Sequence, residues 1–256
     1  MRTAPLRSPD DEPPTPANDD RPIVLFGGTF DPPHRRHVEL LRGVDAILRA
    51  KQVLVIPAWQ NPQRTDGPVA GPQDRAAMCA LAFGDLADTV VLPIELDAKA
   101  PVFTIDTVER VLAMQERGEV MRGPLRLVVG SDQALNFRTW KDWERLTTLA
   151  TPAVVLRPPH TREEWGATLR ANKEPAWAEK WERWTLPIDP VQVSSTEIRR
   201  RLQAKEPVGD MVVEPVAAYI RSRGLYGAAD ASFAAATPEG AADAAPPPPP
   251  PPTPMA

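Results

Sequence analysis

Residues 23–37, Ile-Val-Leu-Phe-Gly-Gly-Thr-Phe-Asp-Pro-Pro-His-Arg-Arg-His, restrict the fold more than any other stretch of the chain. Ile23 to Phe26 form an apolar run without alternation, the pattern of a strand buried on both faces of a parallel sheet. Gly27 and Gly28 follow, and two glycines permit a sharp turn and close approach of another group to the backbone. Pro32 and Pro33 stop the strand and are tolerated in the first turn of a helix. Val38, Leu41, Asp45 and Leu48 then fall at helical spacing. Strand, glycine turn and helix start is the arrangement by which α/β proteins hold phosphates, on free backbone N–H groups and the helix dipole. His34 and His37 lie three apart at that start, where residues share a helix face and can donate to phosphate oxygens. The competing reading is zinc. His160 is the only other histidine and Cys79 the only cysteine, so a complete site would need carboxylates that show no ligand spacing. Metal therefore ranks behind phosphate.

The remaining apolar runs alternate with helical patterns. Val53–Ile56, Thr89–Leu92, Leu125–Val129 and Ala153–Leu156 read as further strands, and residues 191–193 as a last short one. Helical spacing marks Gln73–Phe83 and a segment that Thr104 is expected to cap, with Ile105, Val108, Val111 and Leu112 on its apolar face. Ser194 and Glu197 form a Ser-x-x-Glu capping box, so another helix start stands there, with Ser195, Thr196 and Arg199 offering a second anion site. Gly130-Ser131-Asp132 ends the fourth strand, and Trp140 and Trp143 follow. Trp177, Trp181 and Trp184 fall on one helix face, which reads as a packing face, with an oligomer contact as the weaker alternative. The expected fold is α/β, a Rossmann-like open parallel sheet with helices on both faces.

Composition sets the boundaries. The 256 residues suffice for one sizeable α/β domain, and a net charge of −4 argues against nucleic acid as a partner. One cysteine cannot form an internal disulfide, which fits a reducing, cytoplasmic location. No apolar stretch approaches the ~20 residues of a membrane span. Residues 1–21 are charged, proline-rich and without an apolar core of the signal-peptide kind, and read as a disordered extension. Residues 228–256 are Ala- and Pro-rich and read as a disordered tail, leaving 22–227 as the folded body.

Residues 27–37 resemble the signature of the nucleotidylyltransferase superfamily. They are most similar to the bacterial nicotinate-nucleotide adenylyltransferases, whose pattern is Gly-Gly-Thr-Phe-Asp-Pro-x-His-x-Gly-His. One position departs, since Arg36 stands where the family has Gly. The resemblance continues in collinear order to Tyr226. It takes in Pro57, Ala58, Pro62 and Arg64, with Gln63 in place of a family His. It also takes in Phe103-Thr104 with Thr107, Gly130-x-Asp132 with Trp140, Ser194 to Arg199, and Val213 to Tyr226.

That resemblance implies a nucleotidylyltransferase-type fold and transfer of the adenylyl group of ATP to nicotinate mononucleotide, giving deamido-NAD and pyrophosphate in NAD biosynthesis. It implies that His34, His37 and Arg199 are catalytic. ATP would be held by these three with Gly27, Gly28, Thr29, Phe30, Gly130, Asp132, Ser195 and Thr196. Nicotinate mononucleotide would be held by Thr104, Thr107, Trp140 and Arg64. Mg²⁺ is expected on the phosphates, with few protein ligands. The alternatives are an adenylyltransferase for nicotinamide mononucleotide or phosphopantetheine, and a weakly active nucleotide-binding relative in which Arg36 crowds the nucleotide. A class I aminoacyl-tRNA synthetase shares a related His-x-x-His corner, but this chain is short, acidic and lacks a lysine-rich second loop.

Overall fold

The computed structural model describes residues 19–60, 67–158, 160–171, 174–189 and 194–230. Gln63, Arg64, the strand expected at 191–193, and nearly all of both expected extensions lie outside them. In chain order the described elements begin with β1 (Ile23–Gly28), α1 (Arg35–Leu48), β2 (Gln52–Pro57), α2 (Pro72–Phe83) and β3 (Thr89–Val91). Then come α3 (Ile94–Asp97), α4 (Thr104–Arg117), β4 (Leu125–Gly130), α5 (Ser131–Leu135), α6 (Trp143–Leu149) and β5 (Ala150–Val155). The chain closes with α7 (Arg162–Arg170), α8 (Pro175–Trp184), α9 (Ser195–Gln203) and α10 (Glu214–Arg223).

The strands form one parallel sheet in the order β3-β2-β1-β4-β5. Side chains alternate between its faces. Val24, Phe26, Val53 and Val55 point into a core shared with α1, α2, α9 and α10. Ile23, Leu25, Leu54, Leu125, Leu127 and Val129 point into a second core shared with α4, α6, α7 and α8. The tryptophan face is part of the second core: Trp181 is buried, Trp177 and Trp184 pack against it, and Phe137 meets Trp181 at 5.1 Å.

Chain order reverses between β1 and β4, and open α/β sheets bind ligands at the carboxyl ends of their strands at such a point. The registers show how the crevice arises. β1 pairs with β2 out to Gly28↔Pro57, and β4 with β5 out to Gly130↔Val155. β1 and β4, however, are in register only from Ile23↔Leu125 to Leu25↔Leu127. The sheet therefore divides at its carboxyl edge between the two glycine-ended strands.

Three local expectations are corrected. The glycines do not make the turn, because β1 stays extended through Gly28; the chain turns at Phe30, whose φ is 48°, and at the cis Asp31–Pro32 bond. Gly28 is needed because the Phe30 ring folds back over it, where an added Cβ would meet the ring at 2.9 Å. Thr104 does not cap α4. It is the first helical residue, and the Phe103 carbonyl accepts from the Asp106 and Thr107 N–H groups. The capping box of α9 is half made. Ser194 accepts from the Glu197 N–H at 3.2 Å, while the Glu197 carboxylate turns to Arg200 and Arg201.

Candidate active site

α1 begins with two imidazoles that cap it reciprocally. His34 is the N-cap and His37 the third helical residue. The His37 N–H donates to His34 Nδ1 at 3.3 Å, and the His34 N–H donates to His37 Nδ1 at 3.2 Å. The rings stack with centroids 3.6 Å apart. This is the geometry of a capping box with imidazoles in place of Ser and Glu. A ring nitrogen that accepts carries no proton, so the hydrogen bonds assign each neutral ring its proton on Nε2 and make each a donor there. Burial, then the Arg157 charge, pushes His34 down to about 4. Burial, the neighbouring ring and Arg157 hold His37 well below its usual value. Both rings are thus neutral donors at pH 7. Phe30 is buried and meets the His37 ring edge-on at 5.1 Å, so it supports the pair from the core side.

The start of α9, where the sequence leads one to expect a second anion site, docks directly onto the segment before α1. The Ser195 hydroxyl donates to the Pro32 carbonyl at 2.9 Å, and Arg199 donates to the Asp31 carbonyl at 2.6 Å. The Arg199 guanidinium also stands 3.5 Å from the Asp31 carboxylate and reaches the Thr196 hydroxyl at 3.3 Å. Two stretches more than 160 residues apart in sequence therefore share one corner of the molecule. Gly27 is exposed, with nothing within 4 Å of where a Cβ would lie, so its backbone is open to close approach. Across the fork, an added Cβ on Gly130 would meet Asp132 Oδ1, and Arg157 Nε at 2.8 Å.

The residues expected to hold the pyridine end lie on the other face of the sheet. Thr104 is half-buried in the first turn of α4. Lys141, next to Trp140, pairs with Asp106 at 2.9 Å and stands 5.1 Å from the Phe103 ring, which brings the Trp140 segment to the start of α4. The Thr107 hydroxyl donates to Glu95 at 2.7 Å, and Thr107 is buried. Burial raises the Glu95 carboxyl above its ordinary range. Trp140 stacks on Phe137, centroids 4.7 Å apart, and its indole N–H is buried with no partner among the described residues.

A family profile described as cytidylyltransferase-like matches residues 25–201. A probable nicotinate-nucleotide adenylyltransferase of Albidiferax ferrireducens is 35% identical over 204 residues, 80% of this chain and 97% of that protein. The chain belongs to the nicotinate-nucleotide adenylyltransferase family. A second relative, from Chromobacterium violaceum and carrying the same description, is 34% identical over 80% of this chain and 98% of its own. A solved structure of the Plasmodium falciparum nicotinic acid mononucleotide adenylyltransferase complexed with NaAD superposes with a TM-score of 0.59, covering 81% of this chain and 98% of that one. At 15% identity that likeness speaks for the shared fold alone.

Two features of this family member were not visible in its sequence. Arg157, two residues beyond β5, is a further cation whose charge acts on the histidine pair. Its N–H donates to the buried Ser131 hydroxyl at 3.0 Å, and that oxygen lies 3.0 Å from His160 Nδ1. Arg75 is buried in α2 and donates to the carbonyls of Thr29 at 2.7 Å, Ala58 at 2.5 Å and Trp59 at 3.0 Å, tying together the ends of β1 and β2. Arg36, where the family has Gly, is exposed and pairs with Glu39 at 2.5 Å.

Proposed function

We propose that the chain transfers the adenylyl group of ATP to nicotinate mononucleotide, releasing pyrophosphate and giving deamido-NAD in NAD biosynthesis. The observation that carries this reading is the neutral histidine pair at the start of α1 in the same corner as Arg199, beside the divided edge of the sheet. An oxygen of the mononucleotide phosphate forms a bond to the α-phosphorus, and the bond from that phosphorus to the bridging oxygen of pyrophosphate breaks. The attacking group is already anionic at neutral pH, so no base is required. The barrier is the approach of two anions and the charge growing on the leaving group, which fixed donors and alignment lower. In this reading the Nε2–H groups of His34 and His37 donate to phosphate oxygens, with His37 nearer the α-phosphate. Arg199 and the Ser195–Thr196 end hold the β- and γ-phosphates. Gly27, Gly28, Thr29, Gly130 and Asp132 line the nucleotide's side of the fork, and Arg157 adds a cation near the reacting phosphate.

Among the described residues no group of three or more His, Cys, Asp or Glu could hold a metal ion. The Asp31 carboxylate is engaged by protein donors and Asp132 faces Arg157 at 3.9 Å. That donor set fits an ion carried on the triphosphate oxygens rather than caged by side chains. Mg²⁺ bound in that way would screen phosphate charge. The exposed Arg36–Glu39 pair supports an active enzyme over a crowded, weak relative. No described helix is long and apolar enough to cross a membrane. We assign the reaction to the body at 22–227, and the single cysteine of the chain fits a cytoplasmic setting.

Pyrophosphate release with ATP and, separately, nicotinate mononucleotide, nicotinamide mononucleotide and phosphopantetheine tests the reading. Release should be fastest with the nicotinate substrate; equal or faster release with either of the others would transfer the assignment to that acceptor.

A further inference from the structure

Asp31 joins four parts of the chain. It is buried, its Oδ2 accepts from the Val69 N–H at 2.8 Å, and its Oδ1 accepts from the Ala70 N–H at 2.9 Å. The Tyr226 hydroxyl donates to the same Oδ1 at 2.8 Å. Arg199 stands 3.5 Å from Oδ2, the oxygen that Val69 rather than Tyr226 holds and the loosest of these contacts, while it holds the Asp31 carbonyl more tightly at 2.6 Å. A carboxylate shares its charge among its donors, so each short bond made elsewhere weakens its pull on the guanidinium. Tyr226 is itself held in place against preference. It is buried and adopts φ 58° and ψ 21°, a left-handed conformation that a side chain with a Cβ avoids unless surrounding contacts fix it.

We infer that Tyr226 is a positioning residue for the triphosphate: by drawing on the Asp31 charge at Oδ1, its hydroxyl keeps the Arg199 contact at Oδ2 long and the guanidinium available to phosphate. The turn after α10 thereby sets the strength of the ATP site, 27 residues away in sequence from the arginine it governs. This rests on the reading of Arg199 as a phosphate ligand. Without the hydroxyl, Oδ1 keeps one donor, more of the carboxylate charge is left to Oδ2, and the guanidinium closes on that oxygen in competition with ATP.

The chain contains two tyrosines, Tyr219 and Tyr226, which makes the test direct. Tyr219 also donates to a carboxylate, Asp74, at 2.8 Å, from α10, and serves as the matched control. In the full chain, Tyr226→Phe should weaken calorimetric binding of Mg-ATP, measured without acceptor, by about fivefold to tenfold, the size of one charged hydrogen bond's influence. Its kcat should stay within about twofold and its KM for nicotinate mononucleotide should not move, the split expected of a lost uniform-binding contact. Tyr219→Phe should leave ATP binding unchanged. A measurement on the unmutated tyrosines guards against misfolding of Tyr226→Phe. Fluorotyrosine-labelled protein gives two ¹⁹F resonances, and saturating Mg-ATP should shift that of Tyr226, with the shift abolished in Arg199→Gln. ATP binding equal in Tyr226→Phe and wild type, or a Tyr226 resonance blind to bound ATP, overturns the inference and leaves the proposed reaction standing. A wild type that binds ATP with the ¹⁹F response but releases no pyrophosphate overturns the reaction and leaves the inference standing. A wild type that binds no ATP overturns both.

Discussion

The start of α1 and the start of α4 lie on opposite faces of one sheet and are built to different degrees of completion. At α1 the groups that would meet phosphate are already fixed. His34 and His37 cap one another, Ser195 is on the Pro32 carbonyl, and Arg199 is on the Asp31 carbonyl. At α4 two of the groups that would meet the pyridine ring are engaged with other side chains. The Thr107 hydroxyl belongs to Glu95, Trp140 lies on Phe137, and its indole N–H is buried without a partner among the described residues. An unpaired buried N–H costs about 1–3 kcal/mol, so the Trp140 side is held in a conformation that a partner would relieve. The contrast teaches that charge neutralisation is prepaid in backbone geometry, while ring recognition is completed when the ring arrives.

If that division is correct, variants on the two faces should fail in different ways. His37→Ala should show the largest effect, a fall in kcat of about 10²- to 10³-fold with the circular dichroism spectrum intact, as for loss of a preorganised donor. Near-normal turnover in that variant would erase the distinction. Trp140→Ala should come next, raising KM for nicotinate mononucleotide about tenfold, the scale of one lost aromatic stack, with KM for ATP unmoved. A parallel rise in both constants would show that the two faces are not independent.

Acid should act on the α1 face. The His34 pKa is about 4 in the fold against 6.5 unpaired, so between those values the unfolded chain binds more protons. The stability from this group is full above pH 6.5 and is lost as pH falls towards 4. Melting temperatures across that window should decline more steeply in wild type than in His34→Ser, which keeps a capping oxygen but does not titrate. Equal slopes would remove His34 from the account. The smallest effect is expected from Arg36→Gly: the Arg36–Glu39 pair is exposed, so KM for ATP should change less than about threefold. A larger change would place Arg36 within the nucleotide site and extend the α1 face outwards.

Much of this arrangement could be read from the chain. The apolar runs located the five observed strands, because a parallel sheet buried on both faces leaves an unbroken hydrophobic record. The two helix starts with their hydroxyls, histidines and arginine were legible because those residues are local in sequence. What stayed hidden was long-range or short. The convergence on Asp31 of Val69, Arg199 and Tyr226, up to 195 residues away, leaves no periodicity. α3 has four residues, too few for a helical pattern, so Glu95 gave no warning that it would claim Thr107. Thr104 looked like a cap by composition, but the helix instead draws its first acceptor from the Phe103 backbone. Arg157 follows a strand and looks like any solvated arginine until β5 is set beside β4.

The pairing of β1 with β4 only as far as Leu25↔Leu127 makes the sheet resemble a clothes-peg, clamped at its amino ends and parted at its carboxyl ends. The clamped half is aliphatic and fills both cores, so substitutions there should alter how much folded protein persists and leave substrate choice alone. Past Phe26 and Val129, which still fill the cores, the parted tips are the glycines Gly27, Gly28 and Gly130, with little hydrocarbon to lose, and changes there should alter which nucleotides are accepted at nearly constant melting temperature. Tolerance to mutation is therefore graded along the strands, and a new acceptor could be selected at the jaws without loosening the spring.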